Sequence, residues 1–448
     1  MIGAGHVGFY VADRLSHKLK SEIKRGQVEV VVIEPNQHMT YQPFLPEMAA
    51  GHISPRHGAI PLRRALKRCT ILTGVVTNVD HEHRTLSVQP ISGPSRDVAY
   101  DEVVVAPGSV SRTFPIPGLA ELAMGNKTIG EAIWLRNHVL QRLDVAATTP
   151  DEKTRKAALT FVVVGGGFAG IETLGELEDT VRAALKAYPE VDPDEVRWIL
   201  VEATQRILPE VGPEMGAYSA QHLVKRGIDL RLNTQLESCV GGHVVLNDGE
   251  EFDTQTMIWT AGVKPNPMLE DTDLPLGPKG HLRCSATLQV EGDDGIVDGA
   301  WGAGDSAQVP DLSGYAEWCA PSAQHAVRQA GVLGENIVAT IRDDVIKEYK
   351  HKYLGSVAGL GLYKGVANTY GIKVKGLLAW MMHRGYHLSQ VPGFGRKGRI
   401  LSDWIIGLFT KREIVQLGEM HNPRDAWEAL AKEGRANTQV KDPSSPPS

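Results

Sequence analysis

The sequence predicts an α/β chain built on doubly wound parallel sheets, and three observations carry that reading. Short apolar, strand-like runs alternate with stretches of helical periodicity. Two glycine triads, Gly3-x-Gly5-x-x-Gly8 and Gly165-x-Gly167-x-x-Gly170, each open a helical stretch. No window reaches the ~18–20 uninterrupted apolar residues of a membrane span, so any membrane contact would be made from the surface.

Taken in order, the strands are expected at Val28 to Glu34 ("VEVVVIE"), Glu102 to Ala106, Leu159 to Val164, Arg197 to Glu202 and Thr256 to Thr260. Helices follow the glycine turns. A longer amphipathic helix is expected from about Ile129 to Val145, with Ile133, Leu140 and Leu143 on its apolar face. The first triad arrives so early that only Met1 and Ile2 precede it. A strand buried on both faces normally needs ~5 residues, so a natural start several residues upstream is expected. The closing "RANTQVKDPSSPPS" is polar and proline-rich and reads as a disordered tail over 431–448.

Composition narrows the function classes. A chain of 448 residues, 42% hydrophobic and 22% charged, has room for two or three domains and a large core. Its net charge of -6 gives no broad basic surface for nucleic acid. Cys69, Cys239, Cys284 and Cys319 form no paired motif, which argues against a zinc site, a dithiol centre or a secreted disulfide framework. A reducing cytosolic setting, with no secretory leader, fits this pattern.

Each glycine of a triad meets a separate need: a tight turn, close approach of backbone to a pyrophosphate, and helix-to-strand packing. Glu34 ends the strand after the first triad and is placed to accept hydrogen bonds from a ribose. Its distance from Gly8 exceeds the usual ~20 residues, and the charged "SHKLKSEIKRGQ" insertion absorbs the excess. Glu202 ends the strand after the second triad. It favours an unphosphorylated ribose and hence NADH over NADPH, with Arg206 nearby as the counter-argument. A glycine turn that only packs a helix is the alternative for either triad alone; two triads with two terminal acids suggest two dinucleotides and electron transfer between them.

With these residues in hand, the chain resembles the two-dinucleotide-binding flavoprotein superfamily, and more narrowly the type II NADH:quinone oxidoreductases. Four further stretches carry the likeness: "YQPFLPEMAAG" (Tyr41 to Gly51), "VVVAPGSVSRTFPIPG" (Val103 to Gly118), "WTAGVKPNP" (Trp259 to Pro267) and "WGAGDSAQVPD" (Trp301 to Asp311). The resemblance implies two Rossmann-like domains of glutathione-reductase type, resident FAD and transient NADH. Gly108 and Gly262 mark the two crossings between domains, and Gly304 with Asp305 form the second flavin motif. Asp305 would hold the ribityl or diphosphate region; a loop aspartate that merely caps a helix is the alternative. Glu172, two residues past Gly170 in the first turn of its helix, is favoured there by the helix dipole alone. The resemblance adds that it faces the junction of nicotinamide and flavin.

"CAPSAQHAVRQAGVLGENI" is similar to the family's quinone-side helix. Ala323 and Gln324 match its opening, and Gln329 its second glutamine. Arg328 and Ala330 depart from the pattern, which leaves open which quinone fits. Gln324 is the candidate for shaping the quinone pocket. Cys319 could report a sulfide-oxidising relative, although isolated buried cysteines are common. His325 reads as a packing or surface residue, and "HRGYH" (His383 to His387) is not a convincing metal site.

From Ile346 to Arg412, twelve lysines and arginines stand against two acids, a local +10 in a chain of net -6. Between them lie "GLLAWMM" (Gly376 to Met382) and "DWIIGLF" (Asp403 to Phe409), each too short to span a bilayer. Basic flanks around apolar aromatic faces suit helices lying on an anionic membrane; a homodimer interface is the other reading of the apolar part.

The expected organisation is an FAD domain from 1–114 and 266–345, an inserted NADH domain at 115–265, and a membrane-docking or dimerisation region at 346–430. The expected activity passes hydride from NADH to FAD and two electrons to a membrane quinone, menaquinone or ubiquinone, without proton pumping, on the cytoplasmic face of the cell membrane as part of a respiratory chain. The alternatives are a related NAD(P)H-dependent flavoprotein reductase, a sulfide:quinone oxidoreductase, and a non-enzymatic NADH-binding redox sensor docked on the membrane.

Overall fold

The computed structural model describes residues 1–351 and 355–417. The tail expected at 431–448, and the 418–430 end of the docking region, lie outside the described residues.

The chain begins inside a parallel sheet. Ile2 bridges Ile33 on one side and Val105 on the other, with the Ile2 amide donating to Val104 O at 2.8 Å and the Gly3 amide to Ile33 O at 2.9 Å. Helix α1 (His6–Lys18) then buries Val7, Phe9, Val11, Ala12 and Leu15 against the core. Strand β1 (Val31–Glu34) pairs in parallel with residues 70–80, starting at Val31 opposite Thr70. It is shorter than the expected Val28 to Glu34 because the partner strand itself starts at Thr70. The short helix α2 (Leu45–Ala49) is buried throughout, Glu47 included. Strand β2 (Val103–Val105) is apolar at every position because both its faces are covered. Strand β3 (Ser109–Ser111) then leaves this sheet.

Helix α3 (Ile129–Thr148) opens on a capping box in which Thr128 and Glu131 satisfy each other's backbone amides. It runs one turn beyond the expected Val145 and ends just ahead of Pro150, whose ring disfavours helical backbone in the residue before it. Strand β4 (Thr160–Val164) is the buried centre of a five-stranded, all-parallel sheet. Helix α4 (Phe168–Ala184) follows it, then β5 (Arg197–Glu202) on one side and β6 (Thr256–Trp259) on the other. The sheet order reverses at β4, so its C-terminal end is a topological switch point, where open α/β sheets bind their ligands. The second glycine triad sits there. Strand β7 (Val263–Pro265) pairs antiparallel with β3, Lys264 opposite Val110, so the two crossings between sheets form one ribbon.

Strand β8 (Gly295–Gly302) returns to the first sheet, with Trp301 beside Val104 of β2. Helix α5 (Ala323–Ile341), capped by Ser322, packs on α1. Ile2 thus lies at a second switch point, between β1 and β2, where the first triad sits.

The C-terminal region holds a sheet that its charge pattern did not suggest. Strand β9 (Gly355–Gly359) pairs antiparallel with residues 365–369, which pair in turn with 372–375. Helices α6 (Leu377–Gln390) and α7 (Phe394–Phe409) follow. Helix α7 buries only Ile400 among its side chains, while Phe394 and Phe409 are 91% and 85% exposed.

Candidate active site

The two glycine loops are geometrically alike. Gly3 has φ +87°, and a Cβ there would lie 2.5 Å from Ala106 O. Gly165 has φ +111°, and a Cβ would lie 2.7 Å from Thr260 O. A Cβ on Gly8 or Gly170 would sit 1.9 Å from the carbonyl oxygen of Gly3 or Gly165, respectively, so those glycines permit helix-to-turn packing. A Cβ on Gly5 or Gly167 would meet nothing within 4 Å. That open space lies at the N-terminus of α1 and of α4, where backbone amides and the helix dipole favour an anion.

Each loop is tied to its acid in the same way. Glu34 Oε2 accepts the Ala4 amide at 2.8 Å and Oε1 the Asn36 amide at 3.1 Å. Glu202 Oε2 accepts the Gly166 amide at 2.6 Å and Oε1 the Thr204 amide at 2.7 Å. In both cases the middle residue of the Gly-x-Gly segment fixes the carboxylate beside the loop. Arg206 is exposed.

The first loop opens on a cleft of about 1110 Å³ lined by Gly3, Gly5, Glu34, Gly108, Asp305 and Ala323 among others. Five elements from distant parts of the chain therefore bring these sequence-predicted residues together; Gly8 lies behind the turn. Asp305 Oδ2 accepts the Ser109 hydroxyl at 2.7 Å, and Ser109 Oγ accepts Lys127 Nζ at 2.9 Å. Gly304, at φ +73°, donates its amide to Gln329 Oε1 at 2.7 Å. Gln329, 1% exposed, thus sets the turn that presents Asp305. Gly108 (φ +77°) and Gly262 (φ +98°) precede β3 and β7, and the Gly262 carbonyl accepts the Arg112 amide at 3.1 Å.

His6 also lines the cleft, and its Nε2 is buried without a hydrogen-bond partner. Burial lowers its pKa to about 4, Lys127 adding to the effect and Asp305 opposing it. A long cleft, a glycine space left open, a carboxylate fixed beside the loop and an unsatisfied imidazole together fit an extended dinucleotide such as FAD.

Glu172 is not in the first turn of its helix. Helix α4 starts at Phe168, directly after Gly167, which makes Glu172 its fifth residue; the dipole argument for a first-turn acid does not apply there. The C-terminal region holds its carboxylate instead. The Gly359 amide donates to Glu172 Oε1 at 3.0 Å, and His383 Nε2 lies 2.9 Å from the same oxygen. Burial by itself would lower the His383 pKa, but Glu172 and Glu47 outweigh it, against Arg384, and raise it.

Behind this pair lies a buried ionic cluster. Arg384 packs its guanidinium over the rings of Trp380 and Trp404 at 4.2 and 4.9 Å and lies 3.4 Å from Glu47 Oε2. His52 Nδ1 is 2.5 Å from Glu176 Oε2. Residues from α2, α4, α6 and α7 thus share one polar core.

Gln324 does not line the cleft, although its neighbour Ala323 does. Its amide donates to Gly355 O at 3.3 Å, and its Oε1 lies 3.3 Å from His351 Nε2. Gln324 and Glu172 therefore bond to opposite ends of β9. His325 is a packing residue, buried with Nδ1 2.8 Å from the Tyr349 hydroxyl. Sequence reasoning missed Lys127, Ser109, His6 and His383. Lys127 precedes a readable capping box and His383 belongs to a readable His-x-x-x-His pair, but their neighbours lie far away in sequence.

Residues 1–330 match the family model described as pyridine nucleotide-disulphide oxidoreductase. The chain is 26% identical over 426 residues to the type II NADH:quinone oxidoreductase Ndh of Mycobacterium tuberculosis, covering 92% of this chain and 88% of the relative. It is 27% identical over 390 residues to the type II NADH:quinone oxidoreductase of Staphylococcus haemolyticus, covering 86% and 92%. Its fold matches NDH2 from Plasmodium falciparum, solved in complex with NADH, with a TM-score of 0.84 at 17% identity, covering 92% of this chain and 98% of that one. Since that family model spans most of the chain and both glycine loops, the chain belongs to the pyridine nucleotide-disulphide oxidoreductase family.

Proposed function

We propose that this chain is an FAD-dependent NADH:quinone oxidoreductase of the type II, non-proton-pumping kind. The observation that carries the reading is the duplication of one geometry: two glycine loops with the same open space and the same tethered acid, on two sheets joined by the β3–β7 ribbon. The type II relatives, similar over nearly the whole chain, support it.

When bound, FAD supplies an isoalloxazine that accepts hydride from NADH and passes on two electrons. The chain's own residues bind and orient. Gly3, Gly5 and the start of α1 receive the FAD diphosphate, Glu34 its ribose, and Asp305, backed by Ser109 and Lys127, its ribityl side. Gly108 and Ala323 line the same cleft. Gly165, Gly167, Gly170 and Glu202 serve NADH. Glu172, held by Gly359 and His383, orients the nicotinamide, and Gln324 shapes the quinone side. In this reading residues 1–114 and 266–345 form the FAD domain, 115–265 the NADH domain, and 346–430 the docking region.

The quinone comes from lipid. No helix of the described residues is long and apolar enough to cross a membrane. Helices α6 and α7 instead expose Leu377, Leu378, Met381, Ile405, Ile406 and Leu408, beside Arg396, Lys397, Arg399 and Lys411. Apolar faces with basic flanks suit the headgroup layer of an anionic leaflet, on the cytoplasmic side.

The test is stopped-flow absorbance on the yellow holoenzyme. NADH should bleach it, and ubiquinone or menaquinone analogues should restore the colour. Bleaching without reoxidation by any quinone would sink the proposal in favour of another reductase or a redox sensor. Flotation with anionic vesicles should retain the protein, and Ile405→Asp with Leu408→Asp should release it. Release accompanied by a dimer-to-monomer change would instead assign the face to a second copy.

A further inference from the structure

Glu202, the acid of the second glycine loop, opens a turn that folds back onto that loop. The Leu208 amide donates to Gly166 O at 2.8 Å, while the Gly166 amide donates to Glu202 Oε2 at 2.6 Å. Gly166 is thereby gripped through both its amide and its carbonyl. Ile207 closes a third side: a Cβ on Gly166 would lie 2.8 Å from Ile207 Cγ2 and 3.0 Å from Glu202 Oε2. Ile207, Leu208 and Val211 are all buried.

Leu208 holds an unusual backbone to make this contact. Its φ of +47° and ψ of +57° are left-handed, a region in which a residue with a Cβ is strained. Such a residue persists only where its surroundings over-determine it, and residues of this kind gather at ligand sites.

The surroundings come from the other end of the chain. Ser356 Oγ, on β9, donates to Glu210 O at 3.0 Å, and Asn368 Nδ2, on the strand paired with β9, donates to Val211 O at 3.2 Å. Ser356 is buried, so its bond is not freely exchanged for one to water. Lys373 of the third strand also reaches Glu214, but both side chains are exposed and such a pair contributes little. Two strands of the C-terminal sheet thus clamp the turn that grips the glycine loop.

We infer, resting on the reading of the second loop as the NADH site, that Ser356 and Asn368 are positioning residues for NADH. They act through the backbone of 210–211. That backbone holds Leu208 in its left-handed conformation, and Leu208 with Ile207 fixes Gly166 and the Glu202 carboxylate, where the adenosine ribose is received. The C-terminal sheet thereby sets the grip on the adenosine half of the coenzyme.

The test uses the full-length holoenzyme and three ligands: NADH, ADP-ribose, which has the adenosine half without nicotinamide, and reduced nicotinamide mononucleotide, which lacks adenosine. Ser356→Ala and Asn368→Leu remove the two donors and leave the Gly359 amide, which holds Glu172, in place. In the combined variant the Kd for ADP-ribose and the KM for NADH should both rise about tenfold, the worth of two such hydrogen bonds, with kcat little changed. Flavin bleaching by reduced nicotinamide mononucleotide, followed by stopped flow, should keep its rate. An unchanged Kd for ADP-ribose, or an equal loss with all three ligands, would overturn the inference. A measurement on wild-type enzyme needs no variant: ADP-ribose should slow deuterium exchange at 356–359 and 366–369 as well as at 204–212, since coupling between two sides of a joint is reciprocal. Protection confined to 204–212 would overturn the inference too. Wild-type enzyme that binds no ADP-ribose and whose flavin NADH does not bleach would overturn the functional reading itself.

Discussion

The indole Nε1 of Trp404 donates to the buried carboxylate of Glu47 at 2.8 Å, joining α7 to α2 across most of the sequence. Glu47 is pushed to a raised pKa by burial, with Glu176 adding to the effect and Arg384 opposing it. Trp404→Phe keeps most of the apolar contact but leaves that carboxylate oxygen short of a donor. Removing one partner of a buried hydrogen bond costs about 1–3 kcal/mol, so urea unfolding of the holoenzyme should show a loss in this range. No change in midpoint would mean that the contact is idle.

The glycine loops separate folding from binding. Gly170→Ala puts a methyl group 1.9 Å from Gly165 O, and overpacking of this kind typically costs about 1–3 kcal/mol. Gly167→Ala puts its methyl group into open space. The expected outcome is a lowered Tm for the first variant, and for the second an unchanged Tm with a KM for NADH raised about tenfold or more, a loss of ~1.4 kcal/mol of binding. Thermal melts and steady-state kinetics on both variants check this.

Glu202 should set the choice of nicotinamide. Its carboxylate is held by the Gly166 and Thr204 amides where a 2′-phosphate would meet it. Glu202→Gln removes the charge and keeps the acceptor oxygen. The ratio of kcat/KM for NADPH over NADH should rise by about tenfold or more, corresponding to ~1.4 kcal/mol. An unchanged ratio would shift the discrimination elsewhere, with Arg206 next in line.

His6 gives a pH dependence with a definite sign. Burial lowers its pKa to about 4 from the ordinary 6.5, so the fold holds it neutral while the unfolded chain protonates it more readily. Its contribution to stability is complete above pH 6.5 and is lost as pH falls toward about 4. His6→Phe should flatten that part of the stability profile. Chemical denaturation at several pH values between 7 and 4 compares the two proteins.

The parts of this fold that were legible in the sequence are those written locally. The glycine triads, the apolar β4 and β5 runs and the α3 pattern each show within a short window. Residues joined only by folding did not show. Ser109, Lys127 and Asp305 come from three separate stretches, and Gln329 was noted only as a motif match before its bond to Gly304 gave it a task. The β9 sheet escaped because its strands are four or five residues long and punctuated by glycine. Glu172 was placed too early in its helix because Gly170, the third turn glycine, is already helical.

Gly175 draws a wider consequence from that C-terminal sheet. A Cβ there would lie 2.7 Å from the Gly361 amide nitrogen, so the β9 hairpin presses its backbone directly on α4. Arg226 fastens the joint, donating to Leu360 O at 2.6 Å and Gly175 O at 3.3 Å. The helix that opens on the second glycine loop is thereby fastened to the C-terminal sheet through backbone and guanidinium contacts. A helix locked at such a joint has little freedom to open locally, so amides along 171–178 should rank among the slowest to exchange with deuterium whether or not NADH is bound.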